Sequence, residues 1–137
     1  MVSSQSRWSV APYFIVDDVV ASANDYRDRL GFQYDRFWGE PPCFCMVSRN
    51  GVVIMLSQSE TVGVIRPNGR ADPEAKDAWD AYVWVDDADA LYAEFVSNGA
   101  NIARGLCDQP YGCRDFDVLD FNGYRLCFGH DLGGPSS

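Results

Sequence analysis

The sequence predicts an α+β protein: two βαβββ modules whose sheets curve into a half-barrel, with the helices on the outer face. Three observations lead to that expectation. A hairpin pattern occurs twice, as Cys43–Arg49, Asn50-Gly51, Val52–Leu56 and as Arg114–Leu119, Asn122-Gly123, Tyr124–Phe128. Asn-Gly readily takes the positive φ angles of a tight two-residue turn, so the runs on either side are expected to pair antiparallel. Val16-Asp17-Asp18 and Val85-Asp86-Asp87 each close an apolar run and open a helical pattern, and those patterns end at Gly31 and Gly99. The landmarks recur at a nearly constant interval of about 70 residues, as an internal duplication requires.

Each element can be justified in turn. Ser9–Val16 alternates in aromatic and β-branched residues and reads as a strand. Val20, Ala23, Tyr26 and Leu30 then recur at helical spacing, with Asp17 or Asp18 available as a cap and Gly31 as the stop. Gln33–Trp38 reads as a second strand, and Pro41-Pro42 breaks the chain before the first hairpin. Between the modules, Gln58–Trp79 contains Pro67, Asn68-Gly69 and Pro73; a connector this long is either a binding loop or a tether. The second module has a strand Ala81–Val85, a helix striped by Ala88, Leu91 and Phe95 and ended by Asn98-Gly99, a short strand from Ile102, and the second hairpin. Along its first strand Asp80, Tyr82 and Trp84 share one side, and Ala81, Val83 and Val85 the other. Small and β-branched residues suit the underside of a helix, so the large aromatics are expected to face the cleft.

At 137 residues the chain is expected to be one domain, residues 1–137, with modules at about 9–58 and 80–130. Half-length units would be marginal alone, so the two should share a core. The 47% apolar and 14% aromatic content suits a packed interior, with disorder expected only in the first few residues and the final Gly-Gly-Pro-Ser-Ser. No apolar run approaches the ~20 residues that cross a bilayer, and the N-terminus lacks a signal pattern; a cytoplasmic protein without a membrane partner is expected. A net charge of −9 repels nucleic acid, so no nucleic-acid partner is expected, while a cationic ligand is admissible. The five cysteines include no Cys-x-x-Cys spacing, and Cys43 and Cys45 are too close for most tetrahedral zinc sites. Reduced thiols packed as small apolar groups are expected.

The order Asp28-Arg29-Leu30-Gly31-Phe32, Val83-Trp84-Val85, Leu91-Tyr92-Ala93-Glu94, then Gln109-Pro110-Tyr111-Gly112 leading into Arg114-Asp115-Phe116 resembles the vicinal oxygen chelate superfamily. That superfamily includes glyoxalases, extradiol dioxygenases and bleomycin resistance proteins. The resemblance runs from about Ala11 to Phe128 and is nearest to the bleomycin resistance branch. It implies the paired βαβββ fold and a homodimer with clefts built between subunits. The enzymes of the superfamily hold a divalent metal at four inner-face strand positions, which fall here near Ala11, Met55, Asp80 and Cys127. A methyl cannot ligate and a thioether is too soft for a hard cation, so half of such a site is missing. The one histidine, His130, lies past the last strand and reads as solvent-exposed. No bound metal or other cofactor is expected.

Without a Lewis acid, and with no serine or cysteine triad in view, a binding function is expected and catalysis is not. Phe44, Tyr82, Trp84 and Tyr111 offer flat surfaces on which a heteroaromatic ligand can stack. The resemblance places Phe44, Ser57, Tyr82 and Tyr111 in or near the drug groove of the resistance proteins, with Tyr82 and Tyr111 where that family commonly has Trp. Glu60 and Asp80, with Asp72, Glu74 and Asp77 of the connector, are candidates to hold a cationic tail, and Cys127 completes the set of ligand-binding candidates. The expected function is metal-independent sequestration of an aromatic, cationic antibiotic or related small molecule. The alternative is a glyoxalase-like lyase or dioxygenase-type enzyme with an unconventional metal site.

Overall fold

The two halves of the chain build two four-stranded mixed sheets with matching strand order. The structure is a computed structural model and describes residues 7–133. The first half contains β1 (Tyr13–Val16), α1 (Val19–Leu30), β2 (Phe37–Trp38), β3 (Phe44–Arg49) and β4 (Val52–Gln58). The connector holds a short helix α2 (Asn68–Ala71) and a 3-10 turn (Pro73–Ala75). The second half contains β5 (Ala81–Trp84), α3 (Ala88–Ser97), β6 (Asn101–Asp108), β7 (Cys113–Leu119) and β8 (Arg125–Asp131). Sheet orders are β1-β4-β3-β2 and β5-β8-β7-β6, with β1–β4 and β5–β8 parallel and the other pairs antiparallel. The duplication expected from the landmarks is therefore present in the topology, as two open sheets and not a closed barrel.

Local chemistry explains both long helices. Asp18 accepts from the Ala21 amide at 3.0 Å and Asp87 from the Ala90 amide at 3.0 Å, each quenching an orphan donor of the first turn. Gly31 closes α1 in the left-handed region at φ 70°, its amide bonded to the Tyr26 carbonyl. The buried stripe of α1 is Val19, Ser22, Ala23, Tyr26 and Leu30. Val20, expected in that stripe, is exposed, because the helical period is counted from Val19.

A single apolar cluster spans both modules. Its centre in the second half is the ring group Phe95, Phe116 and Phe128, with centroids 5.1–5.8 Å apart. Across the modules Phe14 stacks on Tyr124 at 4.1 Å, and the Tyr124 hydroxyl donates to the Ile15 carbonyl at 2.7 Å. Arg49 forks onto both carboxylate oxygens of Glu94 at 2.8 Å, tying the first hairpin to α3.

Several expectations need adjusting. The first hairpin turns through Asn50 (φ 49°) and Gly51 (φ 85°), with Arg49 paired to Val52, as Asn-Gly predicts. The second does not turn on two residues. Asp120 accepts from the amides of Asn122 (2.8 Å) and Tyr124 (2.9 Å), so an aspartate-centred loop joins the paired residues Leu119 and Arg125. The first strand starts at Tyr13, not Ser9, immediately after Pro12, whose nitrogen carries no donor. The strand expected at Gln33–Trp38 contracts to Phe37–Trp38 plus an isolated bridge from Gln33 to Ser48. The strand from Ile102 is longer than expected, running from Asn101 to Asp108. His130 lies on β8, and its Nδ1 accepts from the Ala88 amide at 2.8 Å, so it helps cap α3 and is not a free terminal residue. The disorder expected at the ends falls, apart from Gly133, outside the described residues.

Candidate ligand-binding site

Strand alternation sorts each sheet into two faces. In the second sheet Val83, Phe116, Val118, Leu126 and Phe128 enter the core beneath α3. Tyr82, Trp84, Asp115, Asp117, Cys127 and Gly129 consequently line the opposite, concave face. The first sheet repeats the arrangement with Tyr13, Ile15, Phe44, Met46, Met55 and Ser57. Equivalent positions follow from the ladders, since Tyr13 pairs with Met55 as Tyr82 pairs with Cys127. One concave face is apolar and the other carries carboxylates, although the backbones are alike.

The carboxylates of the second face are organised by arginines. Asp115, with no exposed surface, accepts from Tyr111 Oη (2.6 Å), Arg104 Nη2 (2.7 Å), Tyr82 Oη (3.0 Å) and Gln109 Nε2 (3.1 Å). Asp117 accepts from Arg125 Nε (2.7 Å) and Arg104 Nη2 (2.8 Å). Burial alone would push the Asp115 carboxyl up, but the bonds from Tyr111, Arg104, Gln109 and Tyr82 together hold it below its ordinary value. The same environment drives the Tyr82 and Tyr111 phenols well above theirs, through burial first and then the bond to Asp115. Two carboxylates therefore meet two guanidiniums, and the floor of this face is neutralised internally.

Arg104 reaches Asp115 and Asp117 because β6 is bulged. Its register against β7 slips between Ile102 and Arg104 and again between Arg104 and Cys107. An extra residue in a strand flips the side-chain alternation, so Arg104 turns onto the concave face while Ile102 and Leu106 pack toward the core. Gly129 makes room for Tyr82: a Cβ there would lie 2.6 Å from the Asp115 Cβ and collide with the Tyr82 hydroxyl.

Over this floor lies a run of rings. Trp84 and Tyr82 have centroids 4.8 Å apart, Tyr82 and Trp79 5.0 Å, and Trp79 and Tyr111 6.3 Å. Trp84 is 64% exposed, Tyr111 53% and Trp79 37%, so the run presents aromatic surface to solvent. Tyr82, Trp84 and Tyr111, singled out in the sequence, are thus brought together. Phe44 and Ser57 face each other across β3 and β4 on the other concave face, where Phe44 also meets Tyr13 (6.3 Å) and Trp38 (5.5 Å). Sequence reasoning missed Trp79, Arg104, Gln109, Asp115, Asp117 and Arg125. Alternation along Cys113–Leu119 was the available signal for Asp115 and Asp117; nothing in the chain announced the bulges.

Two of the expected ligand contacts are engaged by neighbours within the chain. Asp80 is half-buried, and its oxygens accept from the Asn68 amide (2.7 Å) and the Arg125 amide (2.8 Å), pinning the connector to β8. Cys127 has no exposed surface, lying 3.8 Å from Arg104 Nη2 beneath the network. Asp72 caps the 3-10 turn through the Glu74 amide, and Asp77 sits 3.6 Å from Arg125 Nη1. Glu60 remains exposed beyond the end of β4.

The same facts decide whether a divalent metal fits the four inner-face positions. Ala11 offers no donor, Met55 is a thioether, and Asp80 is committed to two amides. Burial, followed by Asp117 and Asp115, drives the Cys127 thiol far above its usual range, so it stays protonated. Among the described residues no group of three or more His, Cys, Asp or Glu side chains is placed to hold a metal ion. This donor set does not suit the metal that the superfamily's enzymes use.

A paired βαβββ fold with open concave sheets defines a class of proteins, and comparison with known families agrees. Residues 10–128 match the model of the Glyoxalase/Bleomycin resistance protein/Dioxygenase superfamily, and the chain belongs to that superfamily. The bleomycin-binding protein of bleomycin-producing Streptomyces verticillus, solved with copper(II)-bleomycin, superposes with a TM-score of 0.63 at 23% identity, covering 94% of this chain and 98% of that one. TioX from Micromonospora sp. ML1 gives 0.70 at 18% identity, covering 92% and 100%. The bleomycin resistance determinant encoded on transposon Tn5 gives 0.69 at 18% identity, covering 91% and 98%. At these identities the likeness concerns the fold. Comparison with curated proteins returned no match. No helix among the described residues is long and apolar enough to cross a membrane.

Proposed function

We propose that this protein binds and sequesters a flat aromatic small molecule carrying positive charge, an antibiotic or related compound, without metal and without chemical turnover. The observation that carries this reading is the exposed run Trp84–Tyr82–Trp79–Tyr111 above a floor whose charges are already paired. Each ring contact contributes ~1 kcal/mol beyond area burial, and a cation over a ring adds a similar amount. Three such contacts plus buried area are sufficient for micromolar binding. The overall charge of −9 favours approach of a cation. The raised Tyr82 and Tyr111 phenols remain protonated and are held by Asp115, so they serve as oriented surfaces and not as bases.

The functional unit in this reading is a cytoplasmic homodimer. Tyr13 (58% exposed) and Ile15 (46%) open the apolar concave face, and the aromatic run opens the other. Facing one against the other in a second copy would enclose a ligand between an apolar wall with Phe44 and Ser57 and a wall with Tyr82 and Tyr111.

Tryptophan fluorescence tests the proposal. Titration with a bleomycin-type drug should quench Trp79 and Trp84 with a stoichiometric end point, and Tyr82→Ala should weaken binding roughly tenfold, as loss of one stacking contact implies. Absence of quenching at high micromolar drug would remove this reading. A stoichiometric divalent ion in the purified protein, together with turnover of a glyoxalase-type substrate, would replace it with the enzymatic alternative.

A further inference from the structure

The duplicated fold allows each half to be checked against the other, and one difference leaves a hole. Counted back from the helix caps Asp18 and Asp87, Phe14 in β1 occupies the position of Val83 in β5. Counted along β4 and β8 from the matched pair Met55 and Cys127, Tyr124 occupies the position of Val52. In one half Phe14 and Tyr124 stack at 4.1 Å, with planes 6° apart, and fill the space between β1 and the hairpin loop of the other module. In the other half the same two places hold Val52 and Val83, and both line a cavity of about 310 Å³.

The cavity opens between the first hairpin and α3, on the side of β5 that Val83 and Val85 face. Phe32, Phe95 and Phe128 form an apolar, buried floor. Its rim carries Asp86, Asp87 and Glu94, with Arg49 as the single cation. Arg49 is engaged by Glu94 and by the Leu30 carbonyl at 2.8 Å, and Asp87 uses one oxygen for its cap. The rim thus keeps an excess of negative charge, and Asp86 is exposed. A cavity of this size lies at the small end of ligand pockets, and its floor is the kind that accepts a ring in place of water.

We infer that this intermodule cavity is a second small-molecule site, taking one compact aromatic system of one or two fused rings that bears a protonated amine. The ring occupies the place that Phe14 and Tyr124 fill in the twin half, and the amine lies toward Asp86 at the rim. Trp84 borders both this cavity and the concave face, but the other lining residues lie away from the concave faces, and the site does not depend on the function proposed for them.

Tryptamine and indole-3-acetate are the probes, with the full ¹⁵N-labelled chain observed by NMR. Tryptamine should shift the Val52, Leu91 and Glu94 amides, and indole-3-acetate should bind roughly fivefold more weakly, as one exposed charge contact implies. The double variant Val52→Tyr, Val83→Phe transplants the twin's ring pair and should abolish the shifts while raising the melting temperature. Should that variant fail to fold, mapping on the unaltered chain still decides. No shifts up to about 10 mM probe, or shifts confined to Tyr82, Tyr111 and Asp115, would overturn the site. Equal affinity for the two probes would overturn the assignment of a cationic ligand.

Discussion

The Tyr26 hydroxyl donates to the Asp120 carboxylate at 2.6 Å, and this one bond fastens the helix of the first module to the hairpin loop of the second. Both residues are buried, and Asp120 also holds the Asn122 and Tyr124 amides that shape its loop. Tyr26→Phe removes one of three donors from a buried carboxylate. A loss of about 1–3 kcal/mol in urea unfolding is expected, the cost of under-satisfying a buried charge.

The same aspartate sets a pH dependence. Burial pushes the Asp120 carboxyl up to about 6 against the opposing bonds from Tyr26, Asn122 and Tyr124, whereas an unfolded aspartate titrates near ~3.9. Between these values the folded state holds more protons than the unfolded state, so this group's contribution to stability falls as pH rises through the window and levels off above it. Two units correspond to about 2–3 kcal/mol. Denaturant midpoints measured from pH 4.5 to 7.5 should decline accordingly, and Asp120→Asn should flatten the decline. An unchanged slope in that variant would show that Asp120 is not the titrating group.

Why this contact was illegible from the chain illustrates what patterns can carry. The helix caps Asp18 and Asp87, the stop at Gly31 and the Asn50-Gly51 turn depend on near neighbours, and their residue types announced them. Asn122-Gly123 resembles Asn50-Gly51 in sequence, yet Asp120 captures the loop because Tyr26, distant in the chain, partners it. Likewise Tyr82 and Trp84 followed from alternation along β5, but Arg104 reached their face only through bulges. Trp79 escaped notice because it lies in a connector with no period to read, anchored by Asn68 and Asp80.

Arg104 is the residue on which the concave floor depends. Arg104→Ala would leave Asp115 and Asp117, both buried, short of their shared counter-charge. A destabilisation of about 3–5 kcal/mol is expected from breaking a buried pair at one partner. Arg104→Lys should recover only part of it, because an ammonium cannot reproduce the planar fork. Chemical denaturation of both variants checks the order. Equal stability of the alanine variant and the unaltered chain would mean the network carries no net weight.

Gly129 is predicted to be intolerant of a single methyl group. Its added Cβ would meet the Asp115 Cβ at 2.6 Å and the Tyr82 hydroxyl, and both are packed against a strand. Gly129→Ala should cost about 1–3 kcal/mol by overpacking and should displace Tyr82 from Asp115. The displacement is readable as a fall in the Tyr82 phenol's pKa toward its ordinary value, followed by ultraviolet absorbance at alkaline pH. A variant with unaltered stability and an unaltered tyrosine titration would contradict the close approach.

Thiol chemistry gives a last test of the concave floor. Cys43 and Cys107 are exposed, whereas Cys45, Cys113 and Cys127 are buried. Burial raises the Cys45 thiol to about 11, and burial together with the neighbouring Asp117 and Asp115 takes Cys127 higher still. The thiolate is the reactive form, so both should resist alkylation at neutral pH. Ellman's reagent should therefore modify two thiols quickly in the native protein and all five in denaturant. Arg104→Ala removes the cation beside Cys127 and leaves Asp115 and Asp117 uncompensated there, so Cys127 should stay slow and the fast thiols should remain two, with mass spectrometry placing the label. Rapid labelling of Cys127 in the unaltered chain would mean that the floor is open and that the thiol is not held protonated by its surroundings.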